Sequence, residues 1–143
     1  MKKVLICVAL FTLFLTGCGG KKLTCTISTD GGMSDYIEFQ LNEKNTFIFK
    51  DDMLVKVIVK SEAILDSDEY IEEVEMSFKE EFDEFVDSGI TTSVKKKSNN
   101  KVTSKVIYDI EKLTDEFKLD FPYTNQNFDE IKSYLEDEGY TCK

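Results

Sequence analysis

Hydrophobic and polar residues alternate along the first part of the chain that follows its N-terminal apolar run. The stretch "LTCTIS" at residues 23–28 alternates in this way and predicts a first strand. The next stretch, "TDGGMS", predicts a turn, because Gly31 and Gly32 are able to adopt positive φ values.

Eight hydrophobic positions continue the alternation, and all of them have odd numbers. Two turns are expected among them, at "NEKN" (42–45) and at Asp51 and Asp52. Paired positions must sum to an even number if all eight residues share a face, so both loops should hold an odd number of residues. The pattern predicts an antiparallel meander with one buried and one mostly solvated face, built on Ile37, Phe39, Leu41, Phe47, Phe49, Val55, Val57 and Val59.

Residues 67–88 change to helical spacing. Asp66 with Glu69 resembles a capping box, and Gly89 is a natural stop, so one long helix is expected across the apolar sheet face. Its inward residues would be Ile71, Val74, Phe78, Phe82 and Phe85, and its acidic face would carry Glu69, Glu72, Glu73, Glu80, Asp83, Glu84 and Asp87.

The acidic face has two interpretations. It is either a site for Ca²⁺ or a cationic partner, or a solvated helix surface. An EF-hand loop requires glycine at its sixth position, where a loop beginning at Asp66 has Ile71. The solvated surface is therefore favoured.

A second hairpin is predicted from Ile90 to Ile110, with its turn at "KSNN". Its tip is positive on an otherwise acidic protein. This tip is either a docking site for an anionic wall polymer or a partner, or a guard against aggregation at an exposed sheet edge, which is the commoner role of strand lysines. The lysines concerned are Lys95, Lys96, Lys97, Lys101 and Lys105.

The C-terminal part predicts a weak helix at 112–118 and a last helix that begins at Asn127, with Glu130 as capping-box partner, and stops at Gly139. The final "GYTC" then forms a short strand. Several aromatic residues either line a groove or pack in the core, the second being favoured: Tyr108, Phe117, Phe121, Tyr123, Tyr134 and Tyr140. The expected fold class is α+β, with a meander and a second hairpin packed against one long helix and a C-terminal helix.

The N-terminus has the three parts of a secretory signal peptide. Met1-Lys2-Lys3 is positive, Val4 to Leu15 is apolar except for Thr12, and small residues follow. The run is shorter than the roughly 20 residues of a membrane-spanning helix. We therefore expect three segments: a cleaved signal peptide at 1–17, a short tether at 18–22, and a single domain at 23–143.

The end of this signal is more specific. Leu15-Thr16-Gly17-Cys18 resembles the lipobox of bacterial lipoproteins. The resemblance implies cleavage before Cys18, a diacylglycerol group on the Cys18 thiol, a bacterial source and a protein held on the outer side of the cell membrane by its lipid. Two or more acyl chains anchor durably, whereas one does not. The alternative is an ordinary signal peptide with an incidental cysteine.

Composition narrows the chemistry. All 18 basic residues are lysine, and the sequence has no His, Arg or Trp, which excludes Ser-His-Asp and Cys-His catalysis within the chain. Loss of Lys2 and Lys3 leaves 16 lysines against 28 acidic residues, a net charge of −12. This balance argues against nucleic acid as a partner. We expect no enzyme activity, no metal and no cofactor; a carboxylate enzyme would need a pair from Asp30, Asp35, Glu38, Asp109 and Asp120.

Two cysteines remain in the mature domain, Cys25 and Cys142, near its two ends. An even pair outside the cytoplasm favours a disulfide. Two buried free thiols, or a redox or metal pair, are the alternatives, although neither cysteine belongs to a CxxC motif.

The lipobox, the meander, the long helix, the hairpin and the closing Gly-Tyr segment together are similar in layout to the small YehR-like lipoproteins. That resemblance implies an α+β fold and no catalytic residues. The leading functional hypothesis is a membrane-anchored, non-catalytic lipoprotein with a binding or structural role and an unidentified protein or cell-envelope partner. The alternative is a receptor subunit for a small ligand or cation.

Overall fold

A computed structural model of the chain describes residues 20–33, 36–84 and 87–143. The predicted signal peptide, the lipobox-like segment and Cys18 lie outside the described residues.

The described chain forms a six-stranded sheet in the order β4-β5-β3-β2-β1-β6. Every pair of neighbouring strands is antiparallel. The first three strands are a meander, and the second hairpin joins it where β5 pairs with β3. The strands are β1 Lys22–Met33, β2 Ile37–Lys50, β3 Met53–Leu65, β4 Ile90–Ser98, β5 Lys101–Asp109 and β6 Thr141–Cys142.

Three helices complete the described part of the chain, which confirms the α+β class. Helix α1 (Ile71–Asp83) connects β3 to β4. Helices α2 (Asp115–Asp120) and α3 (Phe128–Asp137) lie between β5 and β6. The sheet thus receives its last strand from the C-terminus.

The first strand is longer than the sequence predicts, because the expected turn at Gly31 and Gly32 belongs to β1. Gly31 pairs with Phe39 of β2. A Cβ atom at Gly31 would lie 2.6 Å from the Phe39 ring, so glycine here allows the ring to approach the backbone closely. The glycine serves side-chain packing in a strand and does not form the predicted turn.

The predicted turn at 42–45 is also wrong, because those residues continue β2. One loop remains between β2 and β3, and it holds two residues, Asp51 and Asp52, instead of an odd number. Both have positive φ, 51° and 62°, as a two-residue type I′ hairpin turn requires. A register shift between Ile48 and Phe49 compensates for the even loop. Phe47 therefore still pairs with Val57 on the buried face.

Helix α1 begins later than predicted. Its N-cap is Tyr70, which makes no side-chain capping bond, so the predicted cap at Asp66 is wrong. Strand β3 extends to Leu65, whose N–H donates to the Asn100 carbonyl at 2.9 Å and ties it to the β4–β5 turn. Because Leu65 is still held in the sheet, helix α1 begins only at Ile71. The helix ends at Asp83 instead of near Gly89, and Phe85 lies outside the described residues.

Helix α3 follows its local signals. The Asn127 side chain accepts hydrogen bonds from the N–H groups of Asp129 and Glu130, and the Glu130 carboxylate accepts from the Asn127 N–H at 2.9 Å. This is the predicted capping box. Gly139 follows the helix with a φ of 95°.

The buried side chains form two clusters on one face of the sheet, each including residues from a helix. One contains Ile131 and Leu135 of α3, and the other Ile71 and Val74 of α1. The first also includes Leu23, Cys25, Phe47, Phe49, Leu54, Val57, Ile110, Leu113 and Phe121, and the second includes Ile37, Ala63, Leu65 and Val102. We call this side of the sheet the apolar face and the opposite side the polar face.

Candidate functional site

A groove crosses the polar face of the sheet. Its volume is about 780 Å³. Each strand from β1 to β5 contributes residues to its lining. The side chains of alternate residues along each strand, such as Lys44, Lys60 and Lys105, point away from the apolar face. The lining residues are Thr26, Ile27, Ser28, Asn42, Glu43, Lys44, Lys60, Ser61, Glu62, Ser93, Lys95, Lys97, Thr103, Ser104, Lys105, Gly139 and Thr141.

Three lysines stand side by side in this groove. Lys44 of β2 pairs with Lys60 of β3, and Lys60 pairs in turn with Lys105 of β5. Neighbouring strands lie about 4.8 Å apart, so three like charges occupy successive positions in one cross-strand row. We call this row the lysine ladder. Like charges directly opposite one another destabilise a sheet.

The lysines of the groove lack acidic partners within the described ranges. Lys44, Lys60, Lys105, Lys95 and Lys97 form no ion pair there. Outside the groove, in the part of the chain that the structure describes, six lysines are paired, and Lys22, Lys50, Lys56, Lys118 and Lys143 are not. The paired ones outside the groove are Lys21 with Asp52, Lys79 with Glu75, Lys96 with Glu72, Lys101 with Glu62, Lys112 with Asp109 and Lys132 with Glu136.

Two acidic residues line the groove, and each is already engaged. Glu43 turns to the apolar face, where it accepts a hydrogen bond from the Tyr140 hydroxyl at 2.6 Å. Glu62 pairs with Lys101 at 3.4 Å. The groove therefore presents uncompensated positive charge on a protein whose formal net charge is −10.

Neutral donors accompany the lysines, and the lining contains no aromatic residue. Hydroxyl groups reach the polar face from Thr26, Ser28, Ser93, Thr103 and Thr141. Lysine ammonium groups and Ser or Thr hydroxyls are donors that suit the oxygens of an anion. The missing aromatic rings exclude base stacking within the groove.

The two interpretations of the lysine-rich hairpin apply to different residues. Strand β4, which carries Lys95, Lys96 and Lys97, is an edge of the sheet, so protection of that edge accounts for these lysines. Lys105 lies on β5, which has strands on both sides. Edge protection does not account for Lys105 or for the rest of the ladder.

Cys25 and Cys142 are joined by a disulfide, as the sequence predicts. Their residues pair directly between β1 and β6, and the Cys25 side chain is fully buried. The bond fastens the last strand of the chain to the first.

Two residues of the predicted acidic helix face make side-chain contacts of their own. Glu72 pairs with Lys96 at 3.8 Å, and Asp87 forms hydrogen bonds beyond the end of α1. The Asp87 carboxylate accepts hydrogen bonds from the Gly89 N–H at 2.8 Å and from the Thr114 hydroxyl at 2.6 Å. Asp87 thus connects Gly89, which precedes β4, to Thr114, the N-cap residue of α2. Within the described ranges, no cluster of three or more Cys, Asp or Glu residues is arranged to hold a metal ion.

The candidate catalytic carboxylates divide between the two ends of the sheet. At one end Asp30 of β1 and Glu38 of β2 are diagonal neighbours on the same face, because Glu38 pairs with Gly32, two positions from Asp30. Asp30 pairs with Gln40 at one end of the sheet, and Asp109 pairs with Lys56 at the other. The two rows are eight residues apart along β5, about 26 Å. Asp120 ends α2, and Asp35 lies outside the described residues.

Most of the aromatic residues pack against one another. The ring centroids of Tyr108 and Phe121 are 5.0 Å apart, and those of Phe121 and Tyr123 are 5.7 Å apart. Together with Phe117 they border a cavity of about 250 Å³. Tyr134 also contacts Tyr123, with ring centroids 6.4 Å apart, although 49% of its surface is exposed.

The sequence interpretation missed Lys44 and Lys60 as site residues. Lys44 falls in the turn predicted at 42–45, and Lys60 follows Val59, the last of the alternating hydrophobic positions. The strand register identifies them. The numbers of paired residues in β2 and β3 add up to 104 from Phe39–Leu65 to Ile48–Lys56, and 44 and 60 give the same sum. That sum becomes usable only when "NEKN" is recognised as strand.

No helix within the described ranges has both the length and the hydrophobicity to cross a bilayer. No protein family model matches the chain. No curated protein sequence matches it either. A protein from Streptococcus pneumoniae TIGR4, solved by NMR, has a similar structure with a TM-score of 0.51 and 15% sequence identity. The similarity covers 86% of each chain and, at this identity, it shows the fold alone.

Proposed function

We propose that this chain is a membrane-anchored lipoprotein that acts outside the cytoplasm in a non-catalytic binding or structural role. The structural observation that supports this location is the disulfide between Cys25 and Cys142, since disulfides persist in oxidising compartments. The lipobox-like segment Leu15-Thr16-Gly17-Cys18 supplies the anchor in this proposal.

The distance between the anchor and the fold is short. The Lys21 carbonyl already accepts a hydrogen bond from the Phe49 N–H at 2.9 Å, and the Lys21 ammonium pairs with Asp52 at 2.6 Å. Three residues from Cys18 to Lys21 span about 10 Å when extended. A lipid on Cys18 therefore holds the β2–β3 turn close to the membrane, with the strands leading away from it.

The proposal includes a packing arrangement in which α1 and α3 cover the apolar face. Val74 of α1 is fully buried in a cluster with Ala63 and Val102. Ile131 of α3 is fully buried in a cluster with Leu23. This layout, with the lipobox, is the basis for including the chain among proteins similar to the YehR-like lipoproteins.

A non-catalytic role is supported by the residues available. Histidine is absent from the sequence, and Asp109 lies at the opposite end of the sheet from the neighbouring carboxylates Asp30 and Glu38. Reproducible turnover of any substrate that is abolished by substitution of one of these carboxylates would contradict the proposal.

Cell fractionation tests the anchor. The full chain should sediment with membranes and stay there in high salt, because acyl chains and not charge hold it. Cys18→Ala should lose metabolically incorporated palmitate, and the matched control Cys7→Ala, within the apolar run, should keep it. Wild-type protein without label, or equal labelling of Cys18→Ala, would contradict the anchor.

A second candidate is a receptor for a small ligand or cation. The groove volume of about 780 Å³ favours it, because it falls within the range of small-molecule sites. Native mass spectrometry of the membrane-extracted protein would support this candidate if a stoichiometric small molecule remained bound and left on denaturation. An unliganded mass, with no heat on titration of Ca²⁺ or Mg²⁺, would count against it.

A further inference from the structure

The lysine ladder has no structural explanation in the fold. Lys44, Lys60 and Lys105 lie on strands flanked on both sides, so they guard no edge. They form no ion pair in the described part of the chain. Their mutual repulsion destabilises the folded sheet, and an anion bound in the groove would reduce that repulsion.

The ladder continues beyond its three members. Lys105 pairs with Ser93 on the edge strand β4, and Lys95 and Lys97 point from β4 into the same groove. At the other end the row passes through Thr26 of β1 to Thr141 of β6. From Lys44 to β4, the ammonium groups spread over three strand spacings, about 14 Å.

This spread fits a chain of anionic groups better than a single one. One phosphate bound over Lys60 would leave the charges on β4 unneutralised. A linear polymer lying across the strands contacts lysines on β2, β3, β5 and β4 together. The groove is lined by residues of all the strands from β1 to β5, so an extended molecule can lie along it across the strands.

The donors favour phosphate as the anionic group. Lysine binds phosphate as a point charge, so a phosphate site does not require the bidentate clamp of arginine, which this sequence lacks. Threonine and serine hydroxyls beside the lysines are common donors to phosphate oxygens. Because no aromatic ring lines the groove, nothing stacks on nucleobases.

We propose that the groove across Lys44, Lys60 and Lys105 binds a linear phosphodiester polymer that carries no nucleobases. This site gives the proposed binding role a ligand class. It depends on the proposed function only for the place where the protein encounters the polymer. With a lipid on Cys18, the ladder row lies four residues, about 13 Å, beyond the row of Lys22 and Lys56 nearest the tether. The polymer would then run beside the membrane and not within it.

Binding of synthetic poly(glycerol phosphate) to the purified full chain in nonionic detergent tests this proposal. We expect saturable binding by calorimetry, with an affinity that falls steeply as salt increases because condensed counterions are released. This readout is independent of lipidation, so its failure and the failure of the anchor are distinguishable. Absence of saturable binding at low salt would overturn the site.

Charge-matched variants locate the binding. The triple variant Lys44→Gln, Lys60→Gln and Lys105→Gln should bind about tenfold more weakly and with a shallower salt dependence. The control triple Lys79→Gln, Lys112→Gln and Lys132→Gln removes the same charge outside the groove and should stay within about twofold of wild type. Equal weakening of both triples would show non-specific attraction and overturn the proposal.

Two further probes separate phosphate polymer from other anionic surfaces. Poly-glutamate of equal charge should bind more weakly than poly(glycerol phosphate), and vesicles containing phosphatidylglycerol should not compete. Equal binding of poly-glutamate, or preferential binding of the vesicles, would overturn the assignment. If the triple variant fails to fold, the single substitution Lys60→Gln gives the same comparison with Lys132→Gln.

Discussion

The Tyr140 hydroxyl donates a 2.6 Å hydrogen bond to the Glu43 carboxylate, joining residues that are 97 positions apart in the sequence. Glu43 also accepts from the Asn45 side-chain amide at 2.7 Å, and Asn45 lies directly opposite Cys25. This half-buried hydrogen-bonded group and the adjacent disulfide hold the C-terminus against the centre of the meander.

Tyr140→Phe should lower the free energy of unfolding by about 1–2 kcal/mol, because it removes a donor to a carboxylate. Urea unfolding measures this change. The control is Tyr134→Phe, whose side chain is 49% exposed and whose hydroxyl has no protein partner in the described ranges. A loss for Tyr134→Phe equal to that for Tyr140→Phe would contradict the role of this bond.

The stabilisation that the hydrogen bond between Tyr140 and Glu43 provides should depend on pH in the alkaline range. Burial, and then the hydrogen bond to Glu43, raise the pKa of Tyr140 above the ordinary value near 10. A raised pKa means that the contribution is complete below pH 10 and is lost as the pH rises through the folded-state value. The difference between wild type and Tyr140→Phe should therefore shrink above pH 10.

The disulfide between Cys25 and Cys142 should make a large contribution to the free energy of unfolding. Cys25→Ala with Cys142→Ala should lower the free energy of unfolding by up to about 4–5 kcal/mol, since the bond spans 117 residues. Reductant should lower the melting temperature of wild type and leave that of the double variant unchanged. A wild-type protein insensitive to complete reduction would contradict this account.

Asp87 should give the protein an acid-sensitive contact. The Thr114 hydroxyl, and then the Gly89 N–H, lower the pKa of the Asp87 carboxyl. A lowered pKa means that the contribution is complete above the unfolded-state value near 4 and is lost as the pH falls through the folded-state value. Asp87→Asn should melt below wild type at pH 7, and the gap should narrow between pH 5 and pH 3. A gap independent of pH would exclude the carboxylate charge as its cause.

Removal of the central lysine of the ladder should stabilise the protein. Lys60→Gln relieves repulsion from Lys44 and Lys105, and we expect a gain of about 0.5 kcal/mol that declines in high salt. Lys132→Gln, which loses a pairing with Glu136 at 3.9 Å, should show no gain. Loss of stability in Lys60→Gln would mean that the ladder has a structural role.

Local signals predicted the local features of this fold. The capping box at Asn127 depends on a few neighbouring residues, and it is present. Alternation placed Phe47 and Val57 correctly on one face. These features need no knowledge of what lies elsewhere in the chain.

The features that sequence reasoning missed depend on distant contacts. Gly31 reads as a turn residue until Phe39 is placed opposite it, and Asp66 reads as a helix cap until Asn100 holds Leu65 in the sheet. The ladder is formed by register across three strands, so no short stretch of sequence contains it. The residues that carry the candidate site are therefore the ones that local patterns predict least well.

The intact mass of the protein extracted from its own membranes tests the central claim of a lipid-anchored, disulfide-bonded domain most directly. We predict a chain that begins at Cys18, heavier by a diacylglycerol and additional acyl mass, and two hydrogens lighter than its reduced form because of the bond between Cys25 and Cys142. A chain that retains Met1 or begins elsewhere without acyl mass would contradict the anchor, and a fully reduced mass would contradict the bridge.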